Sequence, residues 1–156
     1  MENERPDRAA RQARATDLVD RIILGPCDDR FWQYLLEFFC RLPENAFDFF
    51  ARAPGLRVTQ PAMNSFVTFN SGQGDPEIPL RTIVLFISDL CEYGSNDVLY
   101  TIAHEFAHVY LGHKPLYCRT HKRIIERDAD TLVVKWGFEQ ELRGAQWSYL
   151  FGRNTS

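Results

Sequence analysis

Apolar residues in the first third of the chain recur at helical spacing. Leu18, Ile22, Ile23 and Leu24 form a short series from Asp17 that stops at Gly25-Pro26, where proline removes a backbone donor. A broader series, Phe31, Trp32, Leu35, Leu36, Phe38 and Phe39, follows Asp28 or Asp29 as a cap and runs to Leu42-Pro43. Pro43-Glu44 suits the first turn of a third helix, with Ala46, Phe47, Phe49 and Phe50 facing inward before Pro54-Gly55 ends it. Residues 17–54 are thus predicted as a helical part whose aromatic side chains are packing material. Residues 1–16 alternate acids and arginines, with Ala9, Ala10 and Ala13 favouring helix but little apolar surface to fix it, so this stretch is expected to be flexible.

The period changes in residues 55–90. Leu56 to Gln60 and Ser65 to Asn70 have the β-branched, alternating character of half-buried strands, separated by Pro61. Ser71 to Pro76 reads as a loop, and Ile78 to Ser88 as a third, more buried strand. From residue 91 to 156 the helical period returns. The predicted elements are a helix near Ser95 to Leu111 capped by Ser95 or Asn96, a second near Thr120 to Trp136 with Thr120 as cap and Gly137 as stop, and a closing helix, Glu139 to Phe151, carrying Leu142, Trp147, Leu150 and Phe151. The whole predicts one α+β domain over 1–156: N-terminal helices, a small twisted sheet, then two chemically loaded helices and a closing one.

Composition narrows the function classes. A chain of 156 residues with 45% hydrophobic and 25% charged residues has material for one core. A net charge of -3 gives no chain-wide attraction to nucleic acid or anionic lipid, so neither is an expected partner. No stretch approaches the roughly 18 apolar residues of a membrane span, and the first residues lack the apolar segment of an export signal. Cys27, Cys40, Cys91 and Cys118 form no CxxC pair and fit reduced thiols in a cytoplasmic protein.

The chemistry concentrates in Thr101 to Tyr110, which holds His104-Glu105-Phe106-Ala107-His108. Four residues make about 400° of helical rotation, so His104 and His108 share a face one turn apart and both imidazoles can reach one ion. Glu105 sits about 100° around from His104, placed to act as a general base on water rather than as a ligand. The bare HExxH string recurs by chance, but here it is surrounded by uncharged residues, as a helix buried beneath a cleft requires. Buried histidines beside a buried glutamate need a partner, and a cation supplies one. Zinc needs a third protein ligand, and Glu126 stands eighteen residues beyond His108. Glu126, Ala129 and Asp130 occupy i, i+3 and i+4 of the second helix, hence one face. Ala129 lets the helices approach, and Asp130 is placed to accept a hydrogen bond from the far nitrogen of His104 or His108, orienting that ring.

The pair His104-Glu105-Phe106-Ala107-His108 and Glu126-Arg127-Asp128-Ala129-Asp130 resembles the gluzincin metallopeptidases, whose pattern is HExxH followed by ExxAD or ExxxD, and compact minigluzincin members above all. The resemblance covers Ile78 to Phe138. It implies one Zn2+ ion held by His104, His108 and Glu126, Glu105 as catalytic base, Asp130 orienting a ligand from outside the coordination sphere, and a peptide or protein substrate; cleavage is expected to be internal because nothing visible in the sequence captures a chain terminus. It further implies that Ile83 to Ser88 is an edge strand along which an extended peptide pairs. A residue to steady the tetrahedral oxyanion is not assigned; Tyr117, Arg119 and His121 lie between the two ligand helices, and His113 is displaced around the helix and is not expected to be a ligand. The alternatives are a latent or weakly active zincin-fold regulatory protein, either lacking an oxyanion stabiliser or with its own Met1–Asp17 or Gln146–Ser156 filling the cleft, with Cys91 and Cys118 as candidates to coordinate zinc and keep it latent, and a closed structural metal site with four protein ligands, for which a cysteine is a candidate.

Overall fold

Backbone is described here, in a computed structural model, for residues 4–25, 27–53, 55–59, 69–71, 81–84, 94–113 and 119–152, and side chains for 7–25, 27–53, 55–58, 94–113 and 123–145. The first helix, α1, spans Glu4–Ile22 and so begins well before the apolar series. Ala15, Leu18, Val19 and Ile22 bury its inner stripe. The preceding turns are held by guanidinium groups. Arg11 donates to the carbonyls of Phe39 at 3.3 Å and Leu42 at 2.6 Å, is bonded to Glu44, and lies 4.0 Å over the Phe47 ring. Arg14 pairs with Glu44 at 2.6 Å and Asp48 at 3.0 Å. Polar contacts thus meet the described part of residues 1–16, where apolar surface is sparse.

Ile23 and Leu24, read from the sequence as the end of the first helix, leave it to form β1 (Ile23–Leu24), which pairs parallel with β2 (Arg57–Thr59). Helix α2 (Asp29–Arg41) follows, its N-terminus capped by Asp28 accepting from Arg30 N at 2.8 Å, and then α3 (Glu44–Arg52). Beyond β2 come β3 (Phe69–Ser71) and β4 (Arg81–Val84). Helices dominate the described residues, and the sheet is small and mixed, in the order β1-β2-β4-β3. β4 pairs parallel with β2 (Val58 with Ile83) and antiparallel with β3 (Phe69 with Ile83). The expectation that Ile83 to Ser88 is an edge is therefore corrected at Ile83, which has ladder partners on both sides, Val58 and Phe69; Val84 pairs with Thr59 of β2, and Leu85 to Ser88 lie outside the described residues. Among the described residues β3 is an edge.

Helix α4 (Ser95–Tyr110) packs against α2, α3, α5 (Arg119–Lys135) and α6 (Glu139–Gly152), and touches β4. Gly94 is its N-cap, without a side-chain bond, in place of the expected Ser95 or Asn96. The buried Phe106, inside the HExxH segment, is the hub of the core. Its ring lies 4.8 Å from Phe38, 5.3 Å from Phe39 and 5.1 Å from Phe50, all centroid to centroid. The aromatics of α2 and α3 thus grip the histidine-bearing helix, in accord with their reading as packing material. α5 starts one residue before the expected cap Thr120. It stops as expected at Gly137, whose φ of +91° lets Phe138 N reach Val133 O at 3.1 Å. On α6 Leu142 is buried as expected, whereas the side chains of Trp147, Leu150 and Phe151 lie outside the described residues.

Candidate metal centre

The period of α4 brings His104 and His108 to one face, and α5 lays Glu126 and Asp130 across them. Ala129, fully buried, lies between the two acids in sequence, as the close approach requires. The two histidine side chains are only 9% and 6% exposed, against 44% for Glu126. His104 Nε2 stands 2.8 Å from Glu126 Oε2 and 3.0 Å from His108 Nε2, and His108 Nε2 is 3.7 Å from Glu126 Oε1. Two donors each about 2.0–2.1 Å from a tetrahedral ion stand about 3.3 Å apart, and these three separations bracket that spacing. Imidazole and carboxylate are also the donor types that suit zinc. His104, His108 and Glu126 form a group that can hold a metal ion, their ligand atoms all within 4.8 Å of one another.

Comparison with protein-family models, curated proteins and solved structures returns no match. The reading of this chain therefore rests on its own geometry.

Around the three side chains stands a supporting set. His104 Nδ1 is 2.9 Å from Asp130 Oδ1, so the carboxylate meets the far nitrogen of His104 and not that of His108. Tyr100, one turn before His104, donates its hydroxyl to the same Asp130 oxygen at 2.8 Å. Tyr100 is absent from the sequence reading, although its i−4 relation to His104 is a usable signal. His113 Nδ1 lies 2.9 Å from His108 Nδ1. It is not among the grouped ligand atoms, but it touches a residue that is. Tyr117 lies outside the described residues, and the side chains of Arg119 and His121 do too, as do Cys91 and Cys118.

The electrostatics follow from burial and crowding. Burial opposes charge on His104, but hydrogen bonds with Asp130 and Glu126 outweigh it and raise the imidazole to about 10. Burial, reinforced by the charge of His104, lowers His108 to about 4. Burial raises the carboxyl of Glu105 to about 7, within the range of a base working near neutrality. Burial works against ionisation of Asp130 as well, yet its bonds with His104 and Tyr100 hold it below the usual carboxylate value. A cation entering this cluster replaces the proton shared by His104 Nε2 and Glu126, so binding should release protons.

Proposed function

We propose that this chain is a zinc metalloendopeptidase of the gluzincin type. The observation that carries the reading is the convergence of His104 Nε2, His108 Nε2 and Glu126 at separations of 2.8, 3.0 and 3.7 Å, with an HExxH glutamate on the same helix. His104, His108 and Glu126 would hold one Zn2+, leaving a position for water as catalytic sites do. Bound there, the ion supplies Lewis acidity to a peptide carbonyl and brings the pKa of water toward neutrality.

The protein's own part is to hold the ligands and move a proton. Glu105, with its carboxyl at about 7, accepts a proton from the attacking water at its carboxylate oxygen and delivers it to the leaving amine. Asp130 accepts from His104 Nδ1 and keeps that ring's Nε2 turned toward the ion, while Tyr100 fixes the carboxylate from behind. The proposed substrate is a peptide or protein. The proposed setting is cytoplasmic, in keeping with Cys27 and Cys40 as free thiols.

Metal analysis joined to a peptide-library digest, with and without chelator, tests the reading. Wild type should carry one zinc and cleave only when loaded. Glu105→Gln should keep the zinc and lose about 100- to 10,000-fold in rate. A Glu105→Gln protein as active as wild type would remove the mechanism, and absence of zinc from wild type would remove the site.

A further inference from the structure

Each imidazole in the cluster turns one nitrogen inward and one outward, and what meets the outward nitrogen decides which tautomer the ring holds. For His104 that partner is Asp130. For His108 the inward atom is Nε2, 3.0 Å from His104 Nε2, and the outward atom is Nδ1, 2.9 Å from His113 Nδ1. Resting on the metal-site reading above, we propose that His113 is the positioning residue for His108: it accepts the Nδ1–H of His108 and so keeps the Nε2 lone pair directed at the ion.

Two ring nitrogens 2.9 Å apart share one hydrogen, so one must be N–H and the other a lone pair. A ligand whose Nε2 binds metal carries its proton on Nδ1. His113 must then present a bare Nδ1 and keep its own proton on Nε2. The two rings are tilted by 58°, with centroids 5.1 Å apart, so the contact runs through the facing nitrogens and is no face-to-face stack.

The backbone explains how a residue five positions past His108 reaches it. After α4, Gly112 takes φ +68°, Gly112 N bonds Val109 O at 3.1 Å, and His113 N bonds His108 O at 3.0 Å. That is the double hydrogen bond of a Schellman turn, which glycine permits without the strain of a side chain at positive φ. The same turn that ends the helix ties His113 to His108 twice, once through the main chain and once through the rings. A Cβ at Gly112 would meet nothing within 4 Å, so backbone conformation rather than space calls for glycine there.

The test is zinc affinity of the full chain, measured by competition with a chromophoric chelator, for wild type, His113→Ala and His113→Asn. His113→Ala should bind zinc about 10- to 100-fold more weakly. His113→Asn, whose side-chain oxygen can accept where Nδ1 did, should recover most of that loss, which a merely space-filling role would not produce. On zinc-loaded wild type, long-range proton–nitrogen correlation spectra should show His108 protonated at Nδ1 and His113 protonated at Nε2, a readout independent of any variant's folding. Unchanged affinity in His113→Ala, an asparagine variant as weak as alanine, or a proton on His113 Nδ1 would each overturn the assignment while leaving the metal site standing. Wild type that binds no zinc would overturn both.

Discussion

Without a metal, the His104 cluster holds a proton that the unfolded chain releases. Against the cost of burial, Asp130 and Glu126 lift His104 from 6.5 to about 10. Between those values the folded protein binds one proton more than the unfolded chain, so the unfolding free energy falls as pH rises. This contribution is complete below about 6.5 and is lost as pH rises through about 10. Two neighbours act lower down. Glu105, lifted by burial from 4.5 to about 7, makes stability fall with pH between those values, whereas His108, lowered by burial and by the charge of His104 from 6.5 to about 4, makes it rise over nearly the same interval. The two oppose one another, and from pH 7 to 8 the fall is that of His104, with the thiols of Cys27 and Cys40, raised by burial from 9.0, adding to it as pH nears 9. The slope there is about 1.4 kcal/mol per pH unit, or about 3 kcal/mol between pH 7 and 9. Denaturant unfolding of chelator-treated protein at pH 7, 8 and 9, with His104→Gln alongside, measures it. Wild type should lose stability across the series, and the variant should be level from pH 7 to 8 and lose far less by pH 9. A level wild-type profile, or the same decline in the variant, would refute the proton assignment.

The remaining predictions concern the frame that carries the site. Phe106→Ala empties the middle of the aromatic cluster and should cost about 3–5 kcal/mol in equilibrium unfolding of metal-free protein; a loss under about 1 kcal/mol would mean that the ring is not the hub. Arg41 pairs at 2.5 Å with Glu141, whose side chain is 8% exposed, and lies over the Phe138 ring. Arg41→Ala leaves that carboxylate buried without its cation and should cost about 3 kcal/mol, and Arg41→Ala with Glu141→Gln should recover part of it in the same unfolding assay.

The pairing of residues within each helix was legible because it depends on helical geometry alone. His104 and His108 one turn apart, and Glu126 and Asp130 likewise, fall on shared faces wherever their helices lie. Which histidine receives Asp130 depends on how α4 and α5 cross, a tertiary fact, and both histidines stayed open until the 2.9 Å contact with His104 was seen. His113 escaped for a related reason: helical rotation places it off the ligand face, but Gly112 ends the helix and brings it back. Strand order is likewise tertiary. The apolar run Ile83-Val84-Leu85-Phe86-Ile87 is the mark of an interior strand, and β4 is interior at Ile83. The early arginines carried a signal of another kind, since a guanidinium that reaches the carbonyls ending α2 leaves no hydrophobic period behind.

The three ligand side chains are not held alike. The imidazoles ride on a helix wedged by Phe38, Phe39 and Phe50, while Glu126 is 44% exposed. A cation approaching from solution would therefore reach the exposed carboxylate of Glu126 before the buried imidazoles. It would then be gripped on one side by two nitrogens fixed in the core and on the other by an oxygen that solvent can reach.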